Sequence, residues 1–117
     1  MAIERLLDVT SDINADGRAV IETGGWDNAE VQLVSPTATA TFQISNDAGA
    51  ITGVSDGSSA SATNFITLQG VKVDDGSAVT TLASSGIVKF TNIGQFLRII
   101  GPGLTVTKAL VRLYKIN

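Results

Sequence analysis

Hydrophobic and polar positions alternate with a period of two along most of this chain, the pattern of β-strands with one face buried. In residues 38–44, Ala38, Ala40, Phe42 and Ile44 fall on one face, and Thr39, Thr41 and Gln43 on the other. Just upstream, Ala29, Val31 and Leu33 alternate with Asn28, Glu30 and Gln32. Between the two runs lies Ser35-Pro36-Thr37, where Pro36 fixes φ and offers no N–H to a ladder. The spacing predicts that these two strands form a hairpin.

Other strands follow at short intervals. Residues 18–23 alternate weakly, and 64–69 carry Phe65, Ile66 and Leu68. Residues 87–90 and 96–100 are separated by Thr91-Asn92-Ile93-Gly94, again a hairpin-length connection. Gly101-Pro102-Gly103 turns the chain into its last segment, 104–114, whose apolar phase changes partway. Leu104 and Val106 share one parity and Ala109, Val111 and Leu113 the other, so a β-bulge near Thr107-Lys108 would restore one apolar face. Residues 3–9 fit either a strand that starts the sheet or a helical turn opened by Leu6-Leu7.

In all, about eight short strands are expected, and helix formers never accumulate at a 3.6-residue period. The fold class is therefore all-β: residues 1–117 form a single antiparallel β-sandwich, jelly-roll-like or Greek-key, with an SH3-like or small closed barrel as the runner-up. The length of 117 residues fits one domain. Val54-Ser55-Asp56-Gly57-Ser58 is echoed by Val73-Asp74-Asp75-Gly76-Ser77, which reads as two similar Asp-Gly turns. Residues 56–63 are a stretch of small polar side chains, suited to an exposed loop or a segment draped over a partner.

Composition narrows the chemistry sharply. The chain has no cysteine and no histidine, which removes disulfides, thiolate nucleophiles, the commonest general base and the commonest metal ligand. Serine–histidine–aspartate and cysteine–histidine catalysis are closed to it. No enzymatic activity is expected, and no cofactor. Eight Lys and Arg stand against eleven Asp and Glu, the wrong balance for a protein that neutralises phosphates, so no nucleic acid is expected. Neither a basic segment followed by a long apolar run nor about 20 consecutive apolar residues occurs, so neither a secretory leader nor a membrane partner is expected.

Three local patterns invite a site. Asp12-Ile13-Asn14-Ala15-Asp16-Gly17 matches the first half of a calcium loop, with oxygen-bearing side chains at alternate positions and a glycine for the sharp turn. The second half fails, because Thr23 stands where a bidentate glutamate belongs and Glu22 lies one residue early. The expected structure is an Asp/Asn/Gly turn joining the first two strands, with no metal; Asp12, Asn14 and Asp16 are the calcium candidates otherwise. Gly24-Gly25-Trp26-Asp27 holds the only tryptophan. Exposed, Trp26 beside Asp27 and Asn28 would be a ligand platform able to stack on a sugar ring; buried, it caps the end of the core, which is the expectation. The carboxylates Asp47, Asp56, Asp74 and Asp75 sit in turn contexts, and aromatic residues make up only 5% of the chain, so a glycosidase cleft is not expected. Gly101-x-Gly103 lacks the further glycines and the lysine of a phosphate loop.

The outward threonines Thr39, Thr41, Thr105 and Thr107 make polar faces of low charge. With charged residues at 16%, composition favours assembly with identical copies into a homo-oligomer or larger array, and a trimer or dimer is the expected oligomer.

The run Gly25-Trp26-Asp27-Asn28-Ala29-Glu30-Val31-Gln32-Leu33-Val34-Ser35-Pro36 is followed by Thr41-Phe42 and Ser45-Asn46-Asp47. Ala62-Thr63-Asn64-Phe65, Gln69-Gly70 and Gly94-Gln95-Phe96-Leu97-Arg98 come after it. Taken together these resemble small β-sandwich structural proteins of tailed bacteriophages, especially those infecting cyanobacteria. The resemblance implies a virion component without cofactor or catalytic residues, made in the host bacterial cytoplasm. A capsid decoration (cement) protein bound to the major capsid protein is the first expectation. A tail- or fibre-associated carbohydrate- or receptor-binding module is the alternative, although the fibre-like repeat of such modules is missing.

Overall fold

Ile3–Asp8 (β1) and Lys108–Lys115 (β11) lie far apart in sequence yet pair antiparallel, and that pairing begins a six-stranded sheet. The computed structural model describes residues 3–47, 64–91 and 93–115. Its remaining strands are Arg18–Glu22 (β2), Asn28–Val34 (β3), Ala40–Ser45 (β4), Ile66–Thr67 (β5), Gly70–Lys72 (β6), Ala78–Val79 (β7), Thr81–Leu82 (β8), Gly86–Thr91 (β9) and Phe96–Ile100 (β10). The larger sheet runs β1-β11-β3-β9-β6-β7, and the smaller runs β2-β10-β4-β5 with β8 also paired to β4. Every described pairing is antiparallel.

The two sheets form a β-sandwich, as the alternation predicts. One continuous core fills the space between them. Ala29, Val31 and Leu33 point inward from β3, Val88 and Phe90 from β9, and Ala109, Val111 and Leu113 from β11. The smaller sheet contributes Ala19, Ile21, Ala40, Phe42, Leu97 and Ile99. Phe42 and Phe90 meet across the interface, with ring centroids 5.0 Å apart and planes tilted by 58°, an arrangement favoured by the ring quadrupoles. In β4 the predicted face holds: Ala40 and Phe42 are buried, and Ala38 and Ile44 pack against the core.

The predicted hairpins are corrected. β3 and β4 lie in different sheets, as do β9 and β10. Between β1 and β4, and again from β7 to β11, each strand lies in the sheet opposite the one before it. Ser35 takes a left-handed φ of 52° where the chain leaves β3, and its N–H donates to Ser85 Oγ at 2.8 Å. The physical reason is that alternation reports which parity is buried, and both a hairpin and an arch between sheets bury the same parity.

The expected bulge at Thr107-Lys108 is also replaced. Residues 104–107 are not a strand; they cross between the sheets before β11 begins, burying Leu104 and Val106 on the way. This crossing runs beside the β3–β4 crossing. Thr37 N–H donates to Thr105 O at 3.0 Å, Thr105 N–H to Thr37 Oγ1 at 2.9 Å, and Thr107 N–H to Val34 O at 2.9 Å. Thr105 and Thr107 are thus part of a crossing rather than an outward strand face.

The Asp/Asn/Gly turn expected after β1 is instead a helix, Thr10–Asp16 (α1). Val9 and Ile13, four residues apart, are both buried, so one side of a single helical turn closes the end of the core. Gly17 ends it with φ 72°, and its N–H donates to Ile13 O. A side chain at Gly17 would also bring Cβ to 2.8 Å from Gly101 O, so both the conformation and the space require glycine.

Candidate functional site

The outer face of the six-stranded sheet is the most chemically distinctive surface among the described residues. Register places Leu6 opposite Arg112, and Leu110 opposite Gln32, which in turn faces Ile87. These residues have the parity opposite to the core, so Leu6, Leu110 and Ile87 stand on the outside of β1, β11 and β9. They line a shallow groove of about 390 Å³ with Glu30, Gln32 and Arg112. Leu6 is 70% exposed, and Val71 and Val73 continue the apolar surface toward the other edge of the sheet.

Polar groups frame the groove and hold its strands. Arg112 Nε donates to Glu4 Oε2 at 2.6 Å, and its Nη1 lies 3.4 Å from Glu30 Oε2. The same guanidinium sits over the Tyr114 ring, with Cζ 4.2 Å from the centroid. Hydrogen bonding to Glu4 is the main reason the Arg112 guanidinium titrates even above its ordinary range. At the other end, Asp8 accepts from the Thr10 hydroxyl and N–H and meets Lys108 Nζ at 3.4 Å. The Thr10 hydroxyl lowers the Asp8 pKa most, followed by the Thr10 N–H. Such exposed pairs fix side-chain directions more than they stabilise the fold. Among the described residues β1 pairs with β11 alone, which makes it an edge strand of the sheet.

The sites anticipated from sequence are placed differently. Asp12, Asn14 and Asp16 lie on α1, where residues four apart share a face and Asn14 points away from the other two. Asn14 is committed elsewhere: its Nδ2 donates to Val106 O at 3.0 Å, and its Oδ1 accepts Val106 N–H at 2.8 Å. The side chain ties the helix to the β10–β11 crossing. Among the described residues no group of three or more carboxylate, histidine or cysteine side chains is placed to hold a metal ion.

Trp26 is half-buried and packs against the core. Gly25 turns the chain before it with φ 89°, and Trp26 N–H donates to Thr23 O at 3.1 Å. Asn28 is buried and Asp27 exposed, so of the possible ligand platform only Asp27 stands fully in solvent. The turn at 73–77 is the tip of the β6–β7 hairpin, where Asp75 accepts from the Ser77 N–H and hydroxyl and Gly76 takes φ 74°. Asp56 and the polar stretch 56–63 lie outside the described residues. The groove itself was missed by sequence reading; its signal was the outward placement of Leu6, Ile87 and Leu110 on strands whose opposite parity is already apolar.

No helix among the described residues is long and apolar enough to cross a membrane. No family model matches the chain, and no curated protein matches it. Among solved structures it is similar to the crystal structure of SPBc2 prophage-derived protein YomS, with 10% sequence identity and a TM-score of 0.65. The likeness covers 97% of this chain and 94% of that one, and at this identity it shows that the two share a fold over nearly their whole length.

Proposed function

We propose that this chain is a non-enzymatic structural protein of a tailed-phage virion, and in the first place a capsid decoration protein. The observation that carries the reading is the outer face of the six-stranded sheet. There Leu6, Val71 and Val73 are exposed and Leu110 and Ile87 half-buried, apolar side chains on the outside of a sheet already sealed on its other side. Apolar surface gathered on one face and framed by polar groups is the composition of a docking site. The fold shared with a prophage-derived protein supports a phage setting. So does a residue inventory without histidine or cysteine, which suits a protein that works by contact.

The partner is the major capsid protein, with further copies of the chain, as trimer or dimer, on the same shell. Each copy bridges neighbouring shell subunits and raises the barrier to their separation. The location is the virion. Heating particles with and without the protein tests this: shells that lack it burst at a lower temperature, and equal heat stability would count against a cement role. Leu6→Glu in the same assay should lower occupancy of the shell while leaving the melting of the isolated protein nearly unchanged, since Leu6 is mostly exposed.

A further inference from the structure

The five-stranded sheet carries a different surface on its outer side. Of the basic residues, Arg5, Lys72, Lys89, Lys108, Arg112 and Lys115 lie on strands of the six-stranded sheet. Arg18 on β2 and Arg98 on β10 lie on the other sheet. Arg98 faces Val20, and Ile100 faces Arg18, so the two arginines are diagonal neighbours on one face. The ion pairs found among the described residues involve Lys72, Lys108 and Arg112, and neither of these two arginines. Glu22, the acidic residue of β2, is exposed and does not reach ion-pair distance of either.

The surroundings hold the pair in place. Phe65 folds over the outer face and packs on Val20 and Phe96, both buried although they point away from the main core. Arg98 lies on that ring with Cζ 4.2 Å from the centroid, and its Nε donates to Gln43 Oε1 at 2.8 Å. Asn64 takes φ 60°, a conformation asparagine tolerates, and its Nδ2 donates to Asp47 Oδ2 at 3.1 Å, which fixes the approach of Phe65. Arg18 Nε is the buried side-chain polar atom without a hydrogen-bond partner among the described residues. A buried donor left unmet is costly, and a second positive charge beside it adds to that cost. Burial, and then the charge of Arg18, hold the Arg98 pKa below its ordinary value.

We propose that Arg18 and Arg98 together form an oxyanion site on the outer face of the five-stranded sheet, with Phe65 as its floor. Guanidinium groups present planar forks of N–H donors that match carboxylate or phosphate oxygens. An anion held by the outer N–H groups of both guanidiniums cancels the repulsion of the pair and offsets part of the cost of keeping Arg18 charged with its Nε buried and unpaired. The Arg98 Nε–Gln43 bond occupies one donor of that guanidinium and leaves the others for the ligand. This surface lies on the opposite side of the sandwich from the apolar groove, so it stands or falls independently of the docking reading.

Arginine side-chain ¹⁵N–¹H spectra of the full chain, titrated with inorganic phosphate and separately with acetate at constant ionic strength, test the site. The expected result is a saturable shift of the Arg18 and Arg98 Nε–H signals, with Arg112 unmoved. Saturation by acetate identifies a carboxylate ligand, and saturation by phosphate alone identifies a phosphate. In Arg18→Gln the Arg98 shift should lose its saturation, with Arg98→Lys as the second variant and thermal melts to show that both fold. Shifts that rise linearly without saturation in the wild-type chain, or a saturable Arg98 shift that survives Arg18→Gln, would overturn the proposal.

Discussion

Asn14→Asp separates two roles for the Asp12–Asp16 stretch in a single substitution. In the structure Asn14 makes a reciprocal pair with the Val106 peptide, donating from Nδ2 at 3.0 Å and accepting at Oδ1 at 2.8 Å. Aspartate keeps the acceptor but replaces the donor with a carboxylate oxygen facing the Val106 carbonyl. Loss of one neutral hydrogen bond costs about 1 kcal/mol. The oxygen–oxygen repulsion adds up to about 1 kcal/mol more, moderated because the Asn14–Val106 contact is only part-buried. The expected destabilisation is therefore about 1–2 kcal/mol at pH 7, or a fall in Tm of about 4–10 °C for a domain of this size. The deficit should shrink as the pH drops and the new side chain is protonated, because a carboxylic acid can again donate to Val106 O. Thermal melts at pH 7 and pH 3.5, with chelator and with added calcium, read both effects. If Asp12, Asn14 and Asp16 were calcium ligands, a third carboxylate would tighten binding. An Asn14→Asp protein as stable as the wild type, or one whose Tm rises with calcium, would refute the helix-anchoring role.

Other consequences are equally concrete. A Cβ on Gly70 would lie 2.6 Å from both Phe90 Cε1 and Val88 Cγ1, so Gly70→Ala should lower stability by about 1–3 kcal/mol in denaturant titration. Asp8 has a folded-state pKa below its ordinary value, chiefly through the Thr10 hydroxyl. Its contribution is present above the unfolded-state pKa and is lost as the pH falls through the folded one. Melts from about pH 5 downward should therefore show wild type converging on Asp8→Asn, and parallel curves would contradict this. Trp26, packed against the core, should emit to the blue of free tryptophan, shift red on unfolding and ignore host polysaccharide. Saturable quenching by a polysaccharide would restore the ligand-platform role.

The sandwich was legible because its strands are amphipathic: the parity of Val31, Phe42 and Val111 states which side is dry. Strand partners were not legible. Ser35-Pro36-Thr37 looks like a hairpin tip, but the hydrogen bonds that make it an arch come from Thr105 and Ser85, distant in sequence. The phase change after Val106 was visible, and its cause was a crossing between sheets rather than an inserted residue. Helix α1 left a faint signal in Val9, Ile13 and Gly17, outweighed by the turn-forming character of Asp12, Asn14 and Asp16. The two outer faces were hidden for a simpler reason. Leu6, Ile87 and Leu110 are brought to one groove only by the order β1-β11-β3-β9, and Arg18 meets Arg98 only because β2 pairs β10.

The central claim is that this protein acts by binding to a virion. Purified tailed-phage particles from cultures that produce this chain, analysed by cryo-electron microscopy and by mass spectrometry, test it most directly. The expected result is this chain at many copies per particle, seated on the shell with the outer face of its six-stranded sheet against the capsid protein. Particles that contain none of it, with the protein found only free in the infected-cell lysate, would contradict the account.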